Sequence, residues 1–122
     1  MQEFRNYRFE DLEIWQIGLR IVREAYLLAK EFPKNEQFAL TDQLKRAATS
    51  IALNIAEGSG QPTRKGFLVY IHRSKSSVLE CVACAKIAVQ EKFINFHQAE
   101  PFEGLLKEEY FKLIALGKSL RE

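Results

Sequence analysis

The sequence has few of the residues that break helices or build other kinds of fold. Its 122 residues include only three prolines, two cysteines and two histidines. β-branched residues do not alternate along the chain, so no strand is predicted. Charged residues interrupt every apolar run, which excludes a membrane-spanning helix, and the first 13 residues lack the apolar stretch of a signal peptide. These absences predict a single all-α domain and an expected cytoplasmic location.

Cysteine and histidine are also too scarce for the common metal and redox sites. Cys81 and Cys84 form a CxxC in the middle of a predicted helix, whereas zinc needs about four ligands and a redox pair needs a helix N-terminus. We therefore interpret both as buried, reduced thiols. No carboxylate stands three or four residues from His72 to orient it, and Glu108 and Glu109 are predicted to lie on an ordinary helix face. The sequence predicts no enzyme, no cofactor and no metal.

What the sequence does contain is helical periodicity, divided at Pro33, Pro62 and Pro101. The predicted helices cover approximately residues 10–31, 37–59, 63–92 and 101–120. Because their connections are short, we predict an antiparallel up-down four-helix bundle, a single domain over residues 1–122.

The fourth predicted helix begins at Pro101 or Phe102, after a linker in which Ile94 and Phe96 fold back on the bundle. Its apolar seam is predicted from residues at spacings of three and four. These residues are Leu106, Tyr110, Leu113, Gly117 and Leu120.

The second helix carries a polar stripe beside its apolar face. The stripe consists of Gln43, Arg46, Ser50, Asn54, Glu57 and Gln61. It could be an exposed face, an intramolecular network in which Asn54 and Glu57 bond to loops or neighbouring helices, or a subunit interface. Amide and hydroxyl groups in place of the usual Lys and Glu favour the last two interpretations together.

Charge is unevenly distributed along the chain. The net charge is +2, but residues 41–92 hold eight cations against four anions, a balance of +4, and the remainder carries −2. A positive middle region favours an anionic partner, although an unevenly charged surface would look the same. Residues 58–66 lack the order of a phosphate-binding loop and follow no strand. The candidate nucleic-acid contacts are Arg46, Arg64, Lys65, Arg73 and Lys75, with Tyr70 as a possible stacking surface.

Two motifs at a specific spacing, QLKRAA at 43–48 and NIAEG at 54–58, carry a resemblance. In this combination the chain resembles the family of 23S rRNA intervening-sequence proteins over nearly its whole length. The resemblance implies a four-helix bundle that assembles as a homopentamer around a central channel. A related set of proteins assists reverse transcriptases of diversity-generating retroelements, where a basic surface is thought to contact nucleic acid and the polymerase.

The chain departs from the family pattern at the start of the third helix. Thr63-Arg-Lys-Gly66 lacks the glutamate of the usual capping box, which predicts a weaker helix start. Gln61 stands where a basic residue often follows the glycines, and Ser76-Ser77-Val78 replaces the usual Gly-Ser-Leu, which puts very close packing there in doubt.

We therefore predict a non-catalytic, homo-oligomeric bundle that associates with RNA or a nucleic-acid-processing protein, and with no membrane. The alternative is a protein-interaction scaffold without nucleic-acid binding. In both, part of the polar stripe holds the bundle and the ring together, and we assign this structural role to Gln43, Ser50, Asn54, Glu57 and Gly58.

Overall fold

The computed structural model describes residues 7–122, so the expectations that concern residues 1–6 lie outside it. A 3-10 turn at Arg8–Asp11 precedes the first long helix, and a second 3-10 turn at Lys34–Glu36 lies in the first connection. The four long helices are α1 (Glu13–Ala29), α2 (Leu40–Ser59), α3 (Arg64–Gln90) and α4 (Phe96–Arg121).

The helices pack in chain order around one core, with α4 returning to lie beside α1. Short connections of this kind make each helix antiparallel to the one before it. Within residues 7–122 no strand is present. The predicted all-α four-helix bundle is therefore confirmed.

The core is mainly aliphatic and continuous along the bundle. Each helix contributes side chains from the apolar face that its periodicity predicts, and such burial is the main favourable term in folding. The largest fully buried apolar side chains are Ile21, Leu44, Ile51, Ile55, Ile71, Val78, Phe102, Leu106 and Leu113.

The predicted start of α4 at Pro101 or Phe102 was wrong. The helix begins at Phe96, because Asn95 caps it: the Asn95 side chain accepts from the Gln98 amide at 2.8 Å, and the Gln98 side chain accepts from the Asn95 amide at 2.8 Å. This reciprocal capping box stabilises the first turn. Pro101 lies inside the helix. Ile94 packs into the core as expected, whereas Phe96 is 58% exposed.

The predicted seam of α4 also needs one correction. Glu109, assigned to an ordinary helix face, is fully buried, and Tyr110 is only partly buried at the edge of the core. Glu109 is three residues after Leu106 and four before Leu113, which is the spacing of a buried helical stripe. The prediction for Glu109 was wrong because it followed the charged residue type rather than the seam position.

Candidate nucleic-acid interface

The polar stripe of α2 lies against a matching row of polar residues on α3. Ser77 Oγ donates to Ser50 Oγ at 2.9 Å, and the Gln43 amide donates to the Glu80 carboxylate. Deeper in the same interface, the fully buried Ser74 hydroxyl donates to the Ile51 carbonyl at 2.9 Å. Because buried polar groups need hydrogen-bond partners, the bonds of the buried Ser74 and Ser77 fix how α2 sits on α3, whereas the Gln43–Glu80 contact is exposed.

Other members of the stripe act locally. The Asn54 side chain donates back to the Ser50 carbonyl at 2.8 Å and to its hydroxyl at 3.0 Å, and does not reach a loop. The Glu57 side chain is exposed, and within residues 7–122 its carboxylate makes no hydrogen bond or ion pair, whereas its backbone carbonyl accepts from the Gln61 side-chain amide at 3.3 Å. Gly58 packs so closely that an added Cβ would stand 2.8 Å from Phe67 and from Tyr70. The stripe is therefore an intramolecular network around Ser50 and an exposed face elsewhere.

Arg46 lies apart from the other candidate cations. It is exposed and pairs with Asp42 on the previous turn, with Nε to Oδ2 at 2.9 Å. Ser50 of α2 and Ser77 of α3 face each other. Arg46 lies one turn before Ser50 and Arg73 lies one turn before Ser77. Because the helices are antiparallel, the two arginines lie on opposite sides of the serine pair along the bundle. At ~1.5 Å per residue, about 12 Å along the bundle separates Arg46 from Arg73.

Arg64 and Lys65 occupy the first turn of α3. Thr63 caps this helix by accepting from the Gly66 amide at 2.9 Å, so the helix start keeps half of the capping box despite the missing glutamate. Arg64 reaches across to the C-terminus of α4, where its guanidinium donates to the carbonyls of Ser119 and Leu120. A cation at a helix C-terminus is favourable, so Arg64 also joins α3 to α4.

Arg73 and Lys75 point to opposite sides of α3, since residues two apart on a helix do not share a face. The Arg73 guanidinium lies 4.8 Å from the centre of the Tyr70 ring, on the side that faces α2. Lys75 is partly buried and shares the α4 side with Leu79 and Val82.

Two segments without any carboxylate meet at one end of the bundle. Residues 60–79 contain four cations and no Asp or Glu, and residues 111–121 contain three cations and no Asp or Glu. The Arg64 contacts hold the two segments together. We call this region the basic end. Its seven cations are Arg64, Lys65, Arg73, Lys75, Lys112, Lys118 and Arg121.

The sequence interpretation missed the contribution of α4 to this surface. Lys118 and Arg121 lie in the last turn of α4, where their positive charges interact favourably with the negative end of the helix dipole. Lys112 is engaged elsewhere, because its ammonium lies 3.2 Å from Glu13 of α1. The clue was the absence of carboxylates between Glu109 and Glu122, which counting charge over residues 41–92 could not detect.

The two cysteines are free and buried in the core. Burial raises the pKa of the Cys81 thiol, and the neighbouring Cys84 and Glu80 raise it further; burial and Glu80 raise the pKa of Cys84. Both are therefore thiols rather than reactive thiolates near neutral pH. Over residues 7–122 no three His, Cys, Asp or Glu side chains come together as a metal site. In the same range, no helix is both long and apolar enough to cross a bilayer.

Four packed helices, a hydrogen-bonded α2–α3 interface and a basic end define a small helical-bundle protein. The family model described as 23S rRNA-intervening sequence protein matches residues 10–115, and the chain belongs to this family. A solved structure of a protein of unknown function from the S23 ribosomal protein family of Bacteroides thetaiotaomicron has the same fold. The TM-score is 0.80 at 21% identity, covering 86% of this chain and 98% of the other. No curated protein matches the chain.

Proposed function

We propose that this protein is a non-catalytic, cytoplasmic, self-associating module that binds RNA through its basic end. The observation that carries the proposal is the meeting of two carboxylate-free segments, 60–79 and 111–121, joined by Arg64. A surface rich in cations attracts a phosphate backbone without needing to recognise its bases.

The chemistry of the basic end suits single-stranded RNA. Lys65 is exposed in the first turn of α3, where the positive end of the helix dipole adds to its charge. Arg73 with Tyr70 offers a flat cation and an aromatic ring side by side, and both groups can stack on bases. Arg46 stays a predicted contact for a longer ligand, because it lies about two turns from Arg73.

Self-association would make such a weak surface effective. We propose a homopentamer, in which five basic ends act together and gain avidity over one. Support comes from the large apolar side chains left exposed on the bundle, including Leu19, Leu53, Leu79 and Phe111.

Fluorescence anisotropy with a short single-stranded RNA tests the binding proposal. Affinity should fall as salt rises, and Lys65→Glu should weaken binding and lower the salt slope by about 0.7 for each lost phosphate contact. Lys34→Glu is the matched control, because Lys34 is exposed in the 3-10 turn at the opposite end of the bundle. Absence of binding at low salt, or equal effects of the two variants, would refute an RNA site at the basic end.

The alternative is a protein-interaction scaffold, and one groove favours it. An apolar groove of about 270 Å³ runs between α3 and α4, with Leu79 and Phe111 more than half exposed at its edges. Light scattering and ultraviolet absorbance on the same chromatographic peak separate the two functions. An oligomer that carries nucleic acid supports the proposal, and an oligomer free of RNA that Leu79→Ser dissociates supports the scaffold.

A further inference from the structure

Glu109 is the one described side chain whose buried polar atoms have no partner. It is completely buried in the middle of α4, and neither carboxylate oxygen has a hydrogen-bond partner. An ionised carboxylate without partners in an apolar interior is strongly disfavoured, whereas the neutral acid is tolerated at lower cost.

Small residues on two other helices make room for this side chain. A Cβ added to Gly18 of α1 would stand 3.5 Å from Glu109 Oε2 and 3.5 Å from the Ala52 Cβ of α2. The charged groups that act on Glu109 are Glu13 from α1, and Glu108 and Lys112 from α4 itself. On the α2 side the nearby residue is the uncharged Ala52. None of the charged groups that act on Glu109 comes from α2 or α3, and the one cation among them is Lys112 of α4 itself.

The interface that contains Glu109 is also the least extensive of the four. Two surface clefts follow the α1–α4 junction. One, of about 500 Å³, includes Arg20, Leu105 and Glu108, and the other, of about 310 Å³, includes Leu28 and Phe102. Solvent can therefore approach the seam through both clefts. Separating α4 from α1 would give Glu109 access to solvent without disturbing the hydrogen-bonded α2–α3 interface.

We propose that Glu109 acts as a proton-controlled latch, holding the α1–α4 seam closed as a neutral acid and loosening it when the proton is lost to solvent. The inference is independent of RNA binding, since Glu109 lies in the core and not at the basic end. It predicts that the two halves of the bundle respond differently as pH rises.

The pH range follows from the direction of the shift. Burial, with smaller contributions from Glu108 and Glu13 and partly opposed by Lys112, raises the pKa of Glu109 from 4.5 to about 8. The closed form therefore binds one proton more than the open form between these values. The stability of the closed seam is greatest below pH 4.5, falls through the interval, and is lowest above pH 8, with the opening constant rising about tenfold per pH unit.

The direct test is a carbon-13 NMR titration of the glutamate carboxyl groups in the full-length, wild-type protein. The Glu109 signal, assigned by its loss in Glu109→Gln, should titrate with a midpoint close to 8. A midpoint near the ordinary value of 4.5 would overturn the proposal. The midpoint itself is read from the wild-type chain, and the variant serves only to assign the signal.

A second test locates the opening. Hydrogen exchange, corrected for the intrinsic effect of pH, should show α1 and α4 losing protection between about pH 5 and 8, while α2 and α3 keep theirs. Glu109→Gln should abolish this difference, and Glu108→Gln, a matched change at the exposed neighbour, should keep it. Uniform loss of protection over all four helices, or an unchanged difference in Glu109→Gln, would exclude a latch at this seam.

Discussion

The α2–α3 and α1–α4 interfaces both bury polar side chains, but only the α2–α3 interface supplies them with hydrogen-bond partners. Between α2 and α3, Ser74 and Ser77 donate to acceptors on the opposite helix. Between α1 and α4, Glu109 is equally buried and both its oxygens lack a partner. The polar contact nearest to this seam is the Lys112–Glu13 ion pair, which lies towards the surface.

The difference separates a structural interface from a responsive one. A satisfied buried hydrogen bond contributes about 0.5–1.5 kcal/mol and fixes one arrangement of its helices. An unsatisfied buried acid instead makes the packing depend on its protonation, because only the neutral form is compatible with the closed seam. Within one small bundle, α2–α3 thus acts as the rigid half and α1–α4 as the half that can open.

Removing the acid should give the largest change. Glu109→Leu replaces a partnerless carboxyl with an apolar side chain of similar size, so the free energy of unfolding at pH 8 should rise by about 1–4 kcal/mol. The gain at about pH 5 should be smaller, because that pH is close to the ordinary pKa of 4.5 and protonating Glu109 in the folded state then costs little free energy. Urea unfolding at the two pH values measures both quantities. A loss of stability at pH 8 would mean that Glu109 has a stabilising partner after all.

Substituting two glycines, one at each interface, tests the same comparison and should change stability by an intermediate amount. Gly58→Ala places a Cβ 2.8 Å from Phe67 and Tyr70, so overpacking should destabilise the protein by about 1–2 kcal/mol even after the gain in helix propensity. Gly18→Ala meets ordinary contacts of 3.5 Å at the α1–α4 seam and should cost nothing, or stabilise by up to about 1 kcal/mol. Thermal unfolding of both variants checks the contrast; equal losses would show that the two interfaces are equally tight.

The helices were predictable because hydrophobic periodicity is a local property of the chain. It identified all four helices and much of the core, including Leu106 and Leu113. The start of α4 was misplaced since the proline was given more weight than the capping box of Asn95 and Gln98. Glu109 was misassigned by residue type, although its spacing from Leu106 and Leu113 put it in the seam.

The candidate site was less predictable, because it depends on which helix ends meet. Sequence could place Arg64 and Lys65 at a helix start, but not the contact of Arg64 with the last turn of α4. That contact places Lys118 and Arg121 in the basic end. Arg46 is not part of the basic end, because it lies beside Asp42 in the N-terminal half of α2. Proximity between residues more than fifty positions apart follows from the packing of the bundle and not from any local pattern.

The smallest expected effect on stability tests how the rim of the α1–α4 seam influences its core. Lys112→Met removes the 3.2 Å ion pair with Glu13, and an exposed pair of this kind contributes only about 0.2–1 kcal/mol. Lys112 also opposes the rise in the pKa of Glu109, so its loss should move the Glu109 titration to higher pH. Lys107→Met, at an exposed position of the same helix, is the matched control and should leave that midpoint unchanged. If Lys112→Met did not move the Glu109 midpoint, Lys112 would have no influence on the protonation of Glu109, and the latch would depend on the burial of Glu109 against Gly18 rather than on the ion pair at the rim.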